Sequence, residues 1–337
     1  MTVFGQSSGG TAVLALLASP ASRGLFSRAM SLSGSPNVTM DRATQRAQHA
    51  HIVAALGCGG GGGTVNATHT RACLLAKTPA ELLKAIPLGK SHAAGTLSNP
   101  SWLMANIFDV PRFADGLRAP GIAAVDGAVV AAPLLEALAR PVVDVPLIVS
   151  TMAQEPGAWP NNMFNASAMS PVQFQQQLAE DWDQVFGDGF AASVVKLYGA
   201  DVADNAQKAW DTIAADAGVF CGNKRAASAF KSDVYSLHNE VYGTDTKRFA
   251  FHGRDLVYAT QGAGAQGARI RDIWFEFAST GAVAAWTPVG GGGSGATTMR
   301  LTNNATLLAK DFKADVCALW SAHAGGRDGF GRFWWSN

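Results

Sequence analysis

The sequence predicts an α/β fold, and three observations predict it. Short strand-like runs alternate with longer helix-forming stretches along the chain. The run Val145 to Thr151 is apolar and β-branched on both faces, as a strand covered by two layers must be. The helical stretches between strands are long, which predicts large helical insertions over the sheet.

The elements follow in order. Thr2-Val3-Phe4 is a β-prone stub that stops at Gly5. Thr11 to Ala18 is apolar and helix-forming, and Arg28 to Ser33 is a short strand closed by Gly34-Ser35-Pro36. Met40 to Leu56 reads as a helix ended by Gly57. Thr78 to Ala85 opens with Thr78 as N-cap and Pro79 at the first helical position. Val145 to Thr151 and Val234 to Leu237 are strands; Pro171 to Phe186, Asp204 to Ala217 and Ile270 to Thr280 are helices.

Composition excludes several function classes. The 337 residues are 48% hydrophobic and 15% charged, the balance of a globular chain. Net charge is +1, with no basic stripe to neutralise phosphates, so nucleic acid is not an expected partner. The most apolar stretch, Gly121 to Ser150, is broken by Asp126, Glu136, Arg140 and Asp144, so no transmembrane segment is expected. Ala12 to Ala18 has the apolarity of a signal-peptide core but no basic region before it, and is read as a helix. The runs Gly59 to Gly63 and Gly290 to Gly293 lack the Lys-Ser/Thr of a phosphate loop and are read as surface loops.

Chemistry is carried by Gly5-Gln6-Ser7-Ser8-Gly9, a G-x-S-x-G between a strand and a helix. In that context the serine occupies a sharp, strained turn, and flanking glycines remove side chains that would clash. Gly10 and Ala12 are expected to keep the following helix close to the sheet. The turn projects the Ser7 hydroxyl and aims the Ser8 backbone N–H at a developing oxyanion.

A serine hydroxyl needs a base, and the base an orienting acid, in the chain order Ser, Asp or Glu, His for this type of turn. Glu155 falls just past the end of the Val145 strand. Of the seven histidines, His49, His51, His69 and His92 precede that acid. His238, His252 and His323 follow it, and His252 is favoured because it lies on a short loop with Gly253 beside it, leaving room for a substrate.

The stretch Thr2 to Gly10 resembles the nucleophile signature of the cholinesterase and type-B carboxylesterase family. The resemblance continues through Gly24 to Ser35, Leu56-Gly57-Cys58, Cys73-Leu74-Leu75, Val125-Asp126-Gly127 and Asp144 to Ile148. Phe251-His252-Gly253 with Asp255-Leu256, Trp286-Thr287-Pro288 and Cys317 to Trp320 complete it in the same order. It implies an α/β-hydrolase fold, a catalytic set of Ser7, Glu155 and His252, and hydrolysis of small-molecule carboxylic esters without cofactor or metal. It also implies disulfides Cys58–Cys73 and Cys221–Cys317. With four sequons, at Asn37, Asn66, Asn165 and Asn304, the paired cysteines point to secretion, the signal peptide being expected upstream.

Three departures qualify the match. Gln6 stands where the family often has Glu, and Pro156 follows Glu155 where Gly is usual, restricting the acid's backbone. The third is larger: no His-Gly-Gly-Gly-type oxyanion loop occurs in the sequence. Residues 1–337 are therefore expected to form the C-terminal portion of a single carboxylesterase type-B domain, its central sheet incomplete because upstream strands are missing. The chain by itself is expected to be weak or inactive as an esterase. The alternative is a catalytically silent adhesion or interaction protein of the same family. Nothing in the sequence sets the oligomeric state.

Overall fold

The computed structural model describes residues 1–36, 39–59, 66–85, 123–158, 166–243, 249–261, 264–289 and 297–323. Six strands form one sheet: β1 (Thr2–Gln6), β2 (Arg28–Leu32), β5 (Leu147–Met152), β6 (Val234–Asn239), β7 (Thr297–Leu301) and β8 (Thr306–Lys310). Their order is β1-β2-β5-β6-β7-β8. Neighbours are parallel up to β7, and β8 returns antiparallel to it. Short strands β3 (Thr39–Asp41) and β4 (Ala123–Val125) pair separately.

The side-chain period of two in each strand sorts the core into two layers. Ala29, Leu147, Val149 and Val234 face α1 (Ser8–Ala18), packing with its Val13, Leu14 and Leu17 and with Leu134 of α5 (Leu134–Ala137). Met30, Leu32, Ile148, Tyr235 and Leu237 face the opposite way, onto Ile270, Ile273 and Phe277 of α12 (Gly264–Thr280). Met30 lies opposite Ile148 and Ile148 opposite Tyr235, so adjacent strands present a continuous apolar row. Each such side chain contributes roughly 1.5–3 kcal/mol when fully buried. β5 and β6 are buried along their whole length, which accounts for the apolar run Leu147-Ile148-Val149, although Ser236, His238 and Asn239 interrupt β6. Among the described residues β1 pairs on one side only, and Phe4 is 58% exposed at that edge.

A helical layer grows from the strand ends. It comprises α6 (Pro171–Phe186), α7 (Phe190–Leu197), α8 (Gly199–Asp204), α9 (Ala206–Ala215) and α13 (Ala314–His323). Trp182 sits in its middle, with ring centroids 5.8 Å from both Trp210 and Trp320. The expected helix Asp204 to Ala217 is instead α9 followed by a π turn, Asp216–Phe220, before α10 (Cys221–Ala227). Long-range bonds hold this local unwinding: Ser35 Oγ donates to the Gly218 carbonyl and Lys313 Nζ to the Asp216 carboxylate.

Both disulfides are present. Cys58–Cys73 joins the end of α2 (Arg42–Ala55) to α3 (Ala67–Leu75) across 15 residues, and Cys221–Cys317 ties α10 to α13 across 96. The Thr78 cap forms as read, with Glu81 closing a capping box on α4 (Pro79–Lys84). Three expectations change. Met40 belongs to β3, because Thr39–Asp41 finds a distant partner strand in Ala123–Val125. The helix expected from Ile270 begins at Gly264. The β7–β8 hairpin and α13 had no anticipated counterpart. Gly60 to Gly63 and Gly290 to Gly293 lie outside the described residues, as do Asn37 and Asn165, whereas Asn66 and Asn304 are exposed.

Candidate active site

Ser7 lies between β1 and α1 with φ 62° and ψ −124°, a conformation that L-residues rarely hold. The Ser7 N–H donates to the Leu32 carbonyl at 2.8 Å, which clamps the turn to the end of β2. Of the glycines that flank Ser7, Gly5 is forced by contact, whereas Gly9 has nothing within 4 Å of where its Cβ would stand. A Cβ on Gly5 would lie 2.3 Å from the Gly9 backbone, and one on Gly34 would lie 2.3 Å from the Gly10 carbonyl carbon. Gly10 thus does bring α1 against the chain after β2. Ala12 does not serve this role: it points to solvent, and Val13 and Leu14 fill the interface instead. Ser8 is the first residue of α1, where backbone N–H groups have no partner within the helix.

Glu155 opens a one-turn 3₁₀ helix, Glu155–Ala158, after β5. Pro156 is accommodated there because its missing N–H falls in the first turn, where none is needed. The Glu155 side chain is fully buried and spends both oxygens: Oε1 accepts the Met152 N–H at 2.8 Å, and Oε2 lies 2.5 Å from His252 Nδ1. The His252 N–H also donates to the Glu155 carbonyl at 3.1 Å.

His252 lies 13 residues beyond the end of β6, just before α11 (Arg254–Gln261). Gly253 has φ +78°, which calls for glycine, and the Gln6 amide nitrogen lies 3.3 Å from where a Cβ would stand. Gly253 therefore makes room for Gln6, the neighbour of Ser7, rather than for a substrate. The strap leading to His252 is clasped by Gln154, whose N–H donates to the Ala250 carbonyl while its Oε1 accepts the Ala250 N–H.

A second carboxyl, Asp255, is buried beside this pair. Ser150 Oγ donates to its Oδ2 at 3.3 Å, and the Leu256 N–H donates to its Oδ1 at 2.8 Å. Burial, and then the charge of Glu155, push the Asp255 carboxyl up to about 6. Burial also pushes Asp211, on α9, up to about 7 despite the bond from Gln207.

A family model describing the carboxylesterase family matches residues 1–320. The chain belongs to the carboxylesterase family. That membership and the six-stranded, mostly parallel sheet together give it an α/β-hydrolase fold and the general character of an ester hydrolase. Among the described residues, no helix of this carboxylesterase is long and apolar enough to cross a membrane.

Of the residues read from sequence, Glu155 and His252 meet directly, and the Ser7 turn touches the His252 loop through Gln6 and Gly253. The rejected His238 lies inside β6, bonded to Glu240, and His49, His51 and His69 lie on α2 and α3. His323 ends α13, and His92 falls outside the described residues. Sequence reading missed Asp255, Gln154 and Asp211. Asp255 carried one signal, a carboxylate three residues after the chosen histidine in a segment already singled out.

Proposed function

We propose that this chain is a serine hydrolase of carboxylic esters acting through an acyl-enzyme, with Ser7, Glu155 and His252 as its catalytic residues. The observation that carries the reading is the bond between Glu155 Oε2 and His252 Nδ1, with Gly253 of the His252 loop lying beside Gln6, the neighbour of the strained Ser7 turn. Ser7 Oγ attacks the ester carbonyl, and His252 Nε2 takes its proton. Glu155 holds the Nδ1–H tautomer and stabilises the imidazolium as it forms. The Ser8 N–H donates to the oxyanion. His252 then protonates the leaving alcohol and, in the second half-reaction, activates water to release the acid and free Ser7.

Oxyanion stabilisation usually takes more than one donor, and removing one costs about 10²- to 10³-fold in rate. Passage through an oxidising compartment fits the two disulfides, and Asn66 and Asn304 are accessible for glycosylation.

A fluorophosphonate probe tests the assignment. It should label the wild-type chain at one site, and Ser7→Ala should abolish labelling without changing the circular-dichroism spectrum. Labelling that persists in Ser7→Ala, or none in the wild type, would favour the silent interaction protein. Short-acyl and long-acyl p-nitrophenyl esters then define the substrate class.

A further inference from the structure

Three elements meet at Gln154: the end of β5, the strap that carries His252, and α9. The Gln154 side chain is buried. Its backbone N–H donates to the Ala250 carbonyl at 3.0 Å, and its Oε1 accepts the Ala250 N–H at 3.1 Å. Ala250 stands two residues before His252 and packs against Met152 and Ala153. Both backbone groups of Ala250 are thus held by one residue just past β5. On the other side, Gln154 Nε2 donates to Thr212 Oγ1 at 3.0 Å.

The chemistry of these partners selects an amide at position 154. The Ala250 N–H needs an acceptor. Thr212 Oγ1 already gives its single proton to the Lys208 carbonyl at 2.8 Å, so towards Gln154 it can only accept. One planar group that offers an acceptor on one side and a donor on the other is a carboxamide. A carboxylate would present acceptors to both partners. An apolar chain of the same length would leave the buried Ala250 N–H unpaired.

Both anchors are fixed. Met152 and Ala153 belong to the buried end of β5, and α9 buries Ala209, Trp210 and Ile213 in the cluster around Trp182. Glu155 bonds to His252 itself, by main chain and side chain. Those bonds act on a loop whose approach is set two residues earlier, at Ala250.

We propose, on the reading of His252 as the base, that Gln154 is a positioning residue: through Ala250 and Thr212 it holds the imidazole at its working distance from Ser7. In that scheme Gln154 meets no reacting atom, so its loss should slow the chemical step and leave binding unchanged. A displacement of about 1 Å can cost about 10²-fold.

Gln154→Met keeps the side-chain length and removes both of its hydrogen bonds. Thr212→Val removes one of them and leaves the Ala250 clasp. In fluorophosphonate labelling of the full chain, the limiting rate should fall roughly tenfold or more in Gln154→Met and roughly threefold in Thr212→Val, with the half-saturating probe concentration within about twofold of wild type. The far-downfield proton signal of the His252 Nδ1–H bound to Glu155, assigned by its loss in His252→Gln, should move upfield in the same order. Leu178→Ala, a cavity in the cluster around Trp182, should lower the urea midpoint and move neither readout. An unchanged rate and signal in Gln154→Met, a rise in half-saturating concentration alone, or equal changes in Leu178→Ala would overturn the proposal. A wild-type chain that takes no label would instead overturn the role of Ser7, and the Nδ1–H signal would then decide for or against Gln154 by itself.

Discussion

His252 is bound to Glu155 twice, side chain to side chain at 2.5 Å and backbone to backbone at 3.1 Å. The main-chain bond fixes where the imidazole begins, and the carboxylate fixes how the ring is turned. The other oxygen of Glu155 is anchored by Met152 at the end of β5, so the pair is referenced to the sheet. This supports reading the two as the base and its orienting acid.

Glu155→Gln tests the orientation. Its amide oxygen still accepts from Met152, so the fold is retained. Its NH₂ would face Nδ1 and favour the tautomer with the proton on Nε2, which cannot accept from Ser7. The acylation rate with p-nitrophenyl acetate should fall about 10⁴-fold, the loss that the comparable acid-to-amide change causes in serine proteases. A fall below tenfold would remove Glu155 from the mechanism.

Asp255 predicts a pH-dependent stability. Its carboxyl titrates near 6 when folded, against an ordinary 3.8. Between those values the folded chain keeps a proton that the unfolded chain has released. Stability therefore falls as pH rises from about 4 to about 6, by at most about 3 kcal/mol, and the loss is complete above that window. Asp211, at about 7, extends the decline by the same sign. Urea midpoints measured across this range should drop with pH, and Asp255→Asn should reduce the fall between pH 4 and 6 by about half, leaving the part due to Asp211. A midpoint that rises through the window would contradict the assignment.

How far the sequence carried the reading depends on the range of the interactions involved. The Ser7 turn was legible because its causes are local: glycines with no space for a side chain and a strand running straight into a helix. Strand β5 was legible because burial on both faces leaves the apolar run Leu147-Ile148-Val149, and β6 from the short run Val234 to Leu237. Glu155 followed from its place after β5, and His252 needed the family resemblance. Asp255 and Gln154 were hidden because their partners, Ser150 and Ala250, lie 105 and 96 residues away. The unwinding after α9 was hidden for the same reason, since its anchors come from Ser35 and Lys313. Ala12 was misread because a small residue in a helix fits contact and exposure equally well.

Gly34→Ala should be severely destabilising although it adds one methyl group. The new Cβ would stand 2.3 Å from the Gly10 carbonyl carbon, 2.4 Å from Ser31 Oγ and 2.7 Å from the Thr11 nitrogen. Two of these are backbone atoms in α1, which cannot rotate away, so α1 must lift from β2. A loss of about 2–4 kcal/mol is expected by urea unfolding, with slower fluorophosphonate labelling because the Ser7 turn moves with α1. Gly9→Ala is the control: nothing lies within 4 Å of its Cβ, and its cost should stay near zero.

The two disulfides should differ in what they hold. In the chain-entropy account a 15-residue loop is worth about 3 kcal/mol and a 96-residue loop somewhat over 4. Location widens the gap. Cys221 and Cys317 are both buried in the cluster around Trp182 and Trp320, whereas α3, which carries Cys73, buries none of its residues. Cys221→Ala with Cys317→Ala should therefore lower the global urea midpoint and loosen the packing around Trp320, seen as a red shift in tryptophan emission. Cys58→Ala with Cys73→Ala should open α2 and α3 locally, raising hydrogen exchange there while the tryptophan signal keeps its midpoint. Equal loss of the global midpoint by both double variants would show that α2 and α3 unfold with the sheet as one cooperative unit.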